Sequence, residues 1–350
     1  MLRRSLTNVA LALCAFLLTG AFFRWLLPFP EITPISEKFR FYEKHRDEID
    51  TLFFGSSRIY QQLSPAIFDT EMRAQGLETR SFNFGVNGMF LGEESYLLEK
   101  VLPHASTRLR WVFIELEPLP ISFDPGNSGS QRIGYWHDLP RTRAVIEEIF
   151  RLDSAGRTRA KWEVIFGRPK QEQRHDLLFL HLSLFAKNFL NLGQARDVLD
   201  WWQHRSGEFD RINLGPATDG YRPLQIRLPP DKAASFEEAL RASMATARRK
   251  PLDPATEEIC RRSAAEVLRC GAQPIFVVTP VRDQTQFFFA QPATGLTTVL
   301  SFNDAIRYPD LYRTSVRLDS MSHLNEEGAQ HFSRHVAERF AAALREGAIK

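Results

Sequence analysis

Three short stretches of this 350-residue chain carry side chains that could do chemistry together. The first, Thr51-Leu-Phe-Phe-Gly-Ser-Ser-Arg-Ile-Tyr60, is an apolar run that stops at Gly55 and hands over to two serines. A serine at such a strand-to-helix turn stands in the open beside helical N–H groups that stabilise negative charge, which is a nucleophile's position. Either Ser56 or Ser57 can fill it, the other capping the turn. The second stretch, Asn83-Phe-Gly-Val-Asn-Gly88, closes another apolar segment with a glycine-containing polar loop. The third, Asp319-Ser-Met-Ser-His323-Leu-Asn325, puts an acid and a histidine in a loop just before a helix. A histidine there can act as general base, and an aspartate a few residues earlier can orient it and balance its charged form.

These residues need a scaffold. Leu52 to Phe54 read as a buried strand, and Gly55 permits a tight turn where a side chain would clash. Ser64-Pro65 starts a helix with serine as cap and proline at the first helical position. Thr79 to Phe84 reads as a second strand, Glu93 to Val101 as a helix, and Arg110 to Glu117 as a third strand stopped by Pro118. This alternation predicts a parallel sheet with helices on both faces. The rhythm then breaks: residues 119–251 hold helical segments at Thr142 to Phe150 and Leu177 to Trp202 and no comparable strand, as expected of an inserted, mainly helical cap. It resumes with a helix capped by Asp253 and ended by Gly271, a fourth strand from Pro274 to Thr279 and a short fifth from Arg313 to Leu318. The last helix, capped by Asn325, turns Ala329, Phe332, Val336 and Phe340 to the core. Domains are therefore expected as 1–36, a membrane anchor; 37–118 and 252–350, two parts of one α/β domain; and 119–251, the insertion.

The anchor is read from Arg3-Arg4 ahead of an apolar run from Val9 to Phe23, extended by Trp25 to Leu27 towards the roughly 20 residues that a bilayer needs. The paired arginines belong in the cytoplasm, which puts the rest of the chain in the periplasm or outside the cell. A cleaved signal peptide is the competing reading, but no small-x-small site follows the core. A net charge of +3 gives no reason to invoke nucleic acid. Cys260 and Cys270 are ten residues apart on one helix, about 15 Å by helical rise and too far to bridge.

With these pieces the chain resembles the SGNH/GDSL hydrolase superfamily, in particular its membrane-anchored bacterial branch associated with O-acylation of envelope polymers. Gly55-Ser56-Ser57 is similar to the first block of that family, which makes Ser57 the nucleophile; Asn83 to Gly88 is similar to the second, whose last glycine donates to the oxyanion. The Asp319–His323 segment is similar to the last block, which supplies acid and base. The resemblance implies a flavodoxin-like, SGNH-type sheet and a serine-dependent esterase or O-acyltransferase at the inner membrane with its catalytic domain outside the cytoplasm. It also implies an acylated polysaccharide or other envelope glycopolymer as substrate, a membrane-bound acyl-donor protein as partner, and no cofactor or metal. The catalytic residues would be Ser57, His323 and Asp319, with Ser57, Gly88 and Asn87 at the oxyanion. Two departures stand out: Glu115-Leu-Glu-Pro118 has no asparagine where the third block carries one, leaving Asn87 or Asn127 to replace it, and Asp319 lies four residues before His323 where the family's acid lies three before. These departures motivate the alternative, a non-catalytic SGNH-fold glycan-binding or scaffold protein of an envelope-assembly machine.

Other residues have plainer readings. Arg58 is a substrate contact or a solvated side chain; Tyr135-Trp-His-Asp138 is a sugar-stacking wall or an aromatic loop packed on the domain; the helices around Trp201-Trp202 are expected to be core in preference to a binding cleft. His331 and His335, four apart on a helix, have metal-binding spacing but no evident third ligand, and Asp304 and Asp310 read as solvated loop residues. No P-loop, zinc-type cysteine pairs or dinucleotide fingerprint is present.

Overall fold

The structure, a computed structural model, describes residues 2–26, 32, 34–117, 131–154, 171–192, 198–199, 202, 211–290, 298–320 and 322–349. Pro118, Asn127 and Trp201 lie outside the described residues. The chain forms two compact units, one of residues 1–36 and 121–208 and one of 37–120 and 209–350.

The second unit is built on a five-stranded parallel sheet in the order β2-β1-β3-β5-β7, with β1 Thr51–Phe54, β2 Ser81–Asn83, β3 Trp111–Glu115, β5 Gln273–Val278 and β7 Val299–Ser301. A small parallel pair joins β4 Arg249–Pro251 to β6 Gln286–Phe288. Its helices are α2 Ile35–His45, which belongs to this unit from Glu37 onward, α3 Ser57–Tyr60, α4 Pro65–Ala74, α5 Leu91–Val101, α9 Arg211–Leu214, α10 Pro230–Ala245, α11 Pro254–Arg269 and α12 Glu326–Arg345. Strands buried on both faces are what a parallel sheet requires. Phe53, Trp111, Phe113, Ile275 and Val277 join Phe68 of α4 and Phe340 of α12 in one cluster, where Phe53, Phe68, Phe113 and Phe340 meet ring to ring. The alternate residues Leu52, Phe54, Val112, Ile114 and Phe276 are equally buried, so apolar side chains leave the sheet on both sides. The capping residues act as expected: Ser64 Oγ accepts from Ile67 N, Asp253 Oδ1 from Thr256 N and Asn325 Oδ1 from Gly328 N.

The fifth strand is Val299–Ser301 and not Arg313 to Leu318. The latter follows the 3₁₀ turn Pro309–Tyr312 and contains a second, Thr314–Val316, and within it only Arg317 makes an isolated bridge, to Leu324. Arg317 is the reason: its guanidinium is fully buried, donates to the Pro280 carbonyl at 2.9 Å and lies over the Phe236 ring, a geometry no period-two ladder supplies. Burial lowers its pKa to about 10.

The first unit contains α1 Leu2–Leu26, α6 Gln131–Tyr135, α7 Leu139–Ser154 and α8 Gln171–Phe189. Within α1, Arg4–Leu26 is long and apolar enough to cross a membrane. The helix expected from Leu177 to Trp202 ends at Phe189, because the chain turns at Asn191, whose φ of 53° is left-handed. In the Tyr135–Asp138 segment Trp136 and His137 are buried, and His137 stacks on His181 of α8.

Candidate functional site

Gly55 closes β1 because nothing larger fits: a Cβ there would meet Ile59 Cγ1 at 2.3 Å and the Glu115 side chain at 2.7 Å. The next residue, Ser56, is buried and used up as a cap, its N–H donating to Glu115 Oε2 at 2.7 Å and its Oγ accepting from Arg58 N at 3.2 Å. Ser57, half-buried at the first position of α3, directs its Oγ to His323 Nε2 at 2.7 Å. On the other side of that ring, His323 Nδ1 meets Asp319 Oδ2. A carboxylate only accepts, so Nδ1 carries the proton and Nε2 is left to accept from the Ser57 hydroxyl. The fold thus brings Ser57, His323 and Asp319 into one hydrogen-bonded row from chain positions 266 residues apart.

The four-residue step between Asp319 and His323 is absorbed by the loop itself. Asp319 Oδ1 accepts from the N–H groups of Ser322 at 2.8 Å and His323 at 3.1 Å, curling the chain so that Oδ2 reaches the imidazole. Gln62 Nε2 and Arg282 Nη1 hold the loop by the carbonyls of Ser322 and Ser320.

The loop carrying Asn87 and Gly88 runs beside the turn, with Val86 N donating to the Gly55 carbonyl at 2.9 Å. Gly88 has a φ of 67°, a conformation that disfavours side chains, and Asn87 is exposed with its Oδ1 accepting from Gln61 Nε2 at 2.9 Å. Asn83, at the head of the loop, is fully buried; its amide donates to the carbonyls of Ile59 and Leu63 and accepts from Gly85 N.

Three charged residues that sequence reasoning passed over hold this rim together. Glu115, at the end of β3, is an acceptor: besides Ser56 N it takes the Thr279 hydroxyl and pairs with Arg58 Nε at 2.7 Å. Arg58 also pairs with Glu117, so it braces the turn. Glu94 receives Glu115 N at 3.0 Å, and burial, then the Glu115 charge, pushes its carboxyl well above the usual range. Lys38 of α2 is fully buried and donates to the carbonyls of Asn83, Gly85 and Gly220 at 2.7–2.9 Å, with Tyr60 under its ammonium. Burial drives its pKa well down, against the pull of Asp219. A charge inside an apolar strand, as in Trp-Val-Phe-Ile-Glu115, was the available signal for Glu115; for Lys38, on a charged helix, there was none.

His331 and His335 have another partner. His335 Nε2 and His331 Nδ1 share Asp310 Oδ2, at 2.9 and 3.3 Å, so Asp310 is a fastener between a 3₁₀ turn and α12 and not a solvated loop residue. Asp304 likewise caps a turn, accepting from Ile306 and Arg307 N–H.

No family model matches the chain. A 3-phosphoshikimate 1-carboxyvinyltransferase from a Nitratiruptor species is 25% identical over 203 residues, 55% of this chain and 42% of that protein. The chain therefore spans less than half the length of the curated relative it matches. This relative corrects the expected membership of the SGNH/GDSL hydrolases, since it bears the name of a transferase of another kind. The assignments built on that membership fall with it: a serine esterase or O-acyltransferase acting on envelope polysaccharide, and the non-catalytic SGNH-fold scaffold offered as its alternative.

Proposed function

We propose that this chain is an enzyme of nucleophilic group transfer in which the Ser57 hydroxyl is the attacking group, His323 its base and Asp319 the carboxylate that orients His323. The row from Ser57 Oγ through His323 to Asp319 carries the reading, because a neutral hydroxyl becomes a competent nucleophile when a base is positioned to take its proton. In the step so supported, Ser57 Oγ bonds to an electrophilic centre, its proton passes to His323 Nε2, and the imidazolium returns that proton to the departing group. Asp319 balances the transient positive charge. The N–H groups of Ser57 and Gly88, with Asn87 beside them, are the candidate donors to the negative charge that develops.

The test uses a fluorophosphonate, whose phosphorus reports any activated serine irrespective of natural substrate. The full chain in detergent is expected to displace fluoride from the probe and carry the adduct on Ser57, with labelling abolished in Ser57→Ala and in His323→Ala. Correctly folded protein that takes no label, or a Ser57→Ala variant that labels as fast as the parent, would sink the reading.

The aligned relative motivates a second reading, transfer of a carboxyvinyl group to 3-phosphoshikimate. It is checked by offering 3-phosphoshikimate and a carboxyvinyl donor to the purified chain; absence of the product by mass spectrometry removes it.

For location, α1 is proposed as a retained anchor in the cytoplasmic membrane, with the chain beyond it on the periplasmic or outer side. Arg3 and Arg4 stand at the N-terminal edge of the span, and the far end of α1 is engaged: Arg24 Nη1 donates to Asn191 Oδ1 at 3.1 Å and to the Asn188 carbonyl at 3.3 Å.

A further inference from the structure

Helix α8 turns one apolar side inward and another outward. His181 and Leu184 are buried, whereas Phe179 is 77% exposed, Leu182 50% and Phe189 68%, with Leu192 just beyond the helix at 47%. The steps of three and seven between Phe179, Leu182 and Phe189 put them, with Ala186, on one helical face. Large apolar side chains in an unbroken exposed row mark a surface that is covered in use, since each Å² left in water costs about 25 cal/mol.

The covering is indicated by where α8 ends. Gly20 is buried within α1, and a Cβ there would lie 3.2 Å from Asn191 Cβ and 3.3 Å from the Leu190 carbonyl, so the turn after α8 rests on α1 at Gly20. Gly20 precedes the end of the apolar helix at Leu26 by six residues, about 9 Å of axial rise. That depth corresponds to the boundary of headgroups and acyl chains, where amphipathic helices bury their apolar faces by roughly 5–10 Å. Arg24 and Trp25 sit at the same end of α1, with residue types suited to a membrane surface.

We infer that the exposed face of α8, formed by Phe179, Leu182 and Phe189, lies in the bilayer interface, giving the first unit a second membrane contact whose occupant is lipid. The inference rests on the reading of α1 as a retained anchor.

The experiment places the photo-crosslinking residue p-benzoylphenylalanine singly at Phe179, Phe189, Leu18 or Ile306 of the full chain. The protein is reconstituted in vesicles of phosphatidylethanolamine and phosphatidylglycerol, irradiated, and read for lipid adducts by mass. Leu18, exposed on α1, reports the anchor; Ile306, an exposed apolar residue of the sheet unit, reports chance encounter. Adducts at Phe179 and Phe189 are expected at the level of Leu18 and on the order of tenfold above Ile306. Lipid adducts at Leu18 with only the Ile306 level at Phe179 and Phe189 would overturn the inference and leave the anchor standing. Protein adducts in place of lipid at Phe179 and Phe189, seen in native membranes, would also overturn it, assigning the face to a membrane protein. Absence of adducts at Leu18 would strike the anchor reading itself and this inference with it.

Discussion

His323 in the sheet unit and His181 in the helical unit are both hydrogen-bonded through a ring nitrogen, yet their surroundings prepare them for opposite behaviour. His323 is partly exposed between a carboxylate and a hydroxyl, so under the proposed reading a proton passed from Ser57 would find a counter-charge already in place. His181 is buried, with its Nδ1 2.8 Å from His137 Nε2, the two rings stacked at 5.1 Å, and its own Nε2 without a partner in the described structure. Burial first, then the neighbouring His137, lowers its pKa to about 3. The type of partner and access to water, more than the presence of a hydrogen bond, separate a histidine that can cycle a proton from one that is held neutral.

The sharpest way to break this comparison is to remove the counter-charge from His323. Asp319→Asn is expected to keep the fold and slow fluorophosphonate labelling by roughly 10²- to 10⁴-fold, because an amide cannot balance an imidazolium and can favour the wrong tautomer. Labelling within a few-fold of the parent would make the site a Ser57–His323 dyad, with Asp319 shaping the loop through Ser322 and His323 N–H only.

The opposite manipulation is to force charge on His181. The unfolded chain takes up a proton there near pH 6.5, whereas the folded chain does so only near 3. The unfolded state therefore binds more protons across that window, and the contribution of His181 to stability falls as pH drops through it. Amide exchange of α8, corrected for intrinsic rate, is expected to accelerate between about pH 7.5 and 5 relative to α12, and His181→Phe to flatten the dependence. Equal pH profiles for the two helices in the parent chain would remove the contrast.

The smallest effect is expected at a third histidine–carboxylate arrangement. Asp310 serves His331 and His335 but touches neither Ser57 nor His323, so Asp310→Asn should leave the labelling rate within about twofold and cost less than about 1 kcal/mol in melting experiments. A large loss of labelling would mean that the fastening of α12 to its 3₁₀ turn controls the position of His323.

The sequence by itself determined the elements whose signals are local. The apolar run ending at Gly55, caps at Ser64, Asp253 and Asn325, and the periodic face of α12 read correctly because strand burial and capping depend on residues close in the chain, whereas the second strand, expected from Thr79 to Phe84, is only Ser81–Asn83. The row of Ser57, Asp319 and His323 was legible as three residues at the ends of elements, but their approach within hydrogen-bond distance was decided by the tertiary fold around the sheet order β2-β1-β3-β5-β7. Which of two adjacent serines faces the histidine was also a tertiary matter: Glu115, 59 residues away, takes the Ser56 N–H and commits that residue to the cap. The same holds for the fifth strand, lost from Arg313–Leu318 because a buried guanidinium found its carbonyl on Pro280, and for Lys38, whose three acceptors come from two distant loops. Long-range polar partners leave no periodicity in the chain that carries them, since a buried charge is tolerated only where the finished fold supplies its hydrogen bonds.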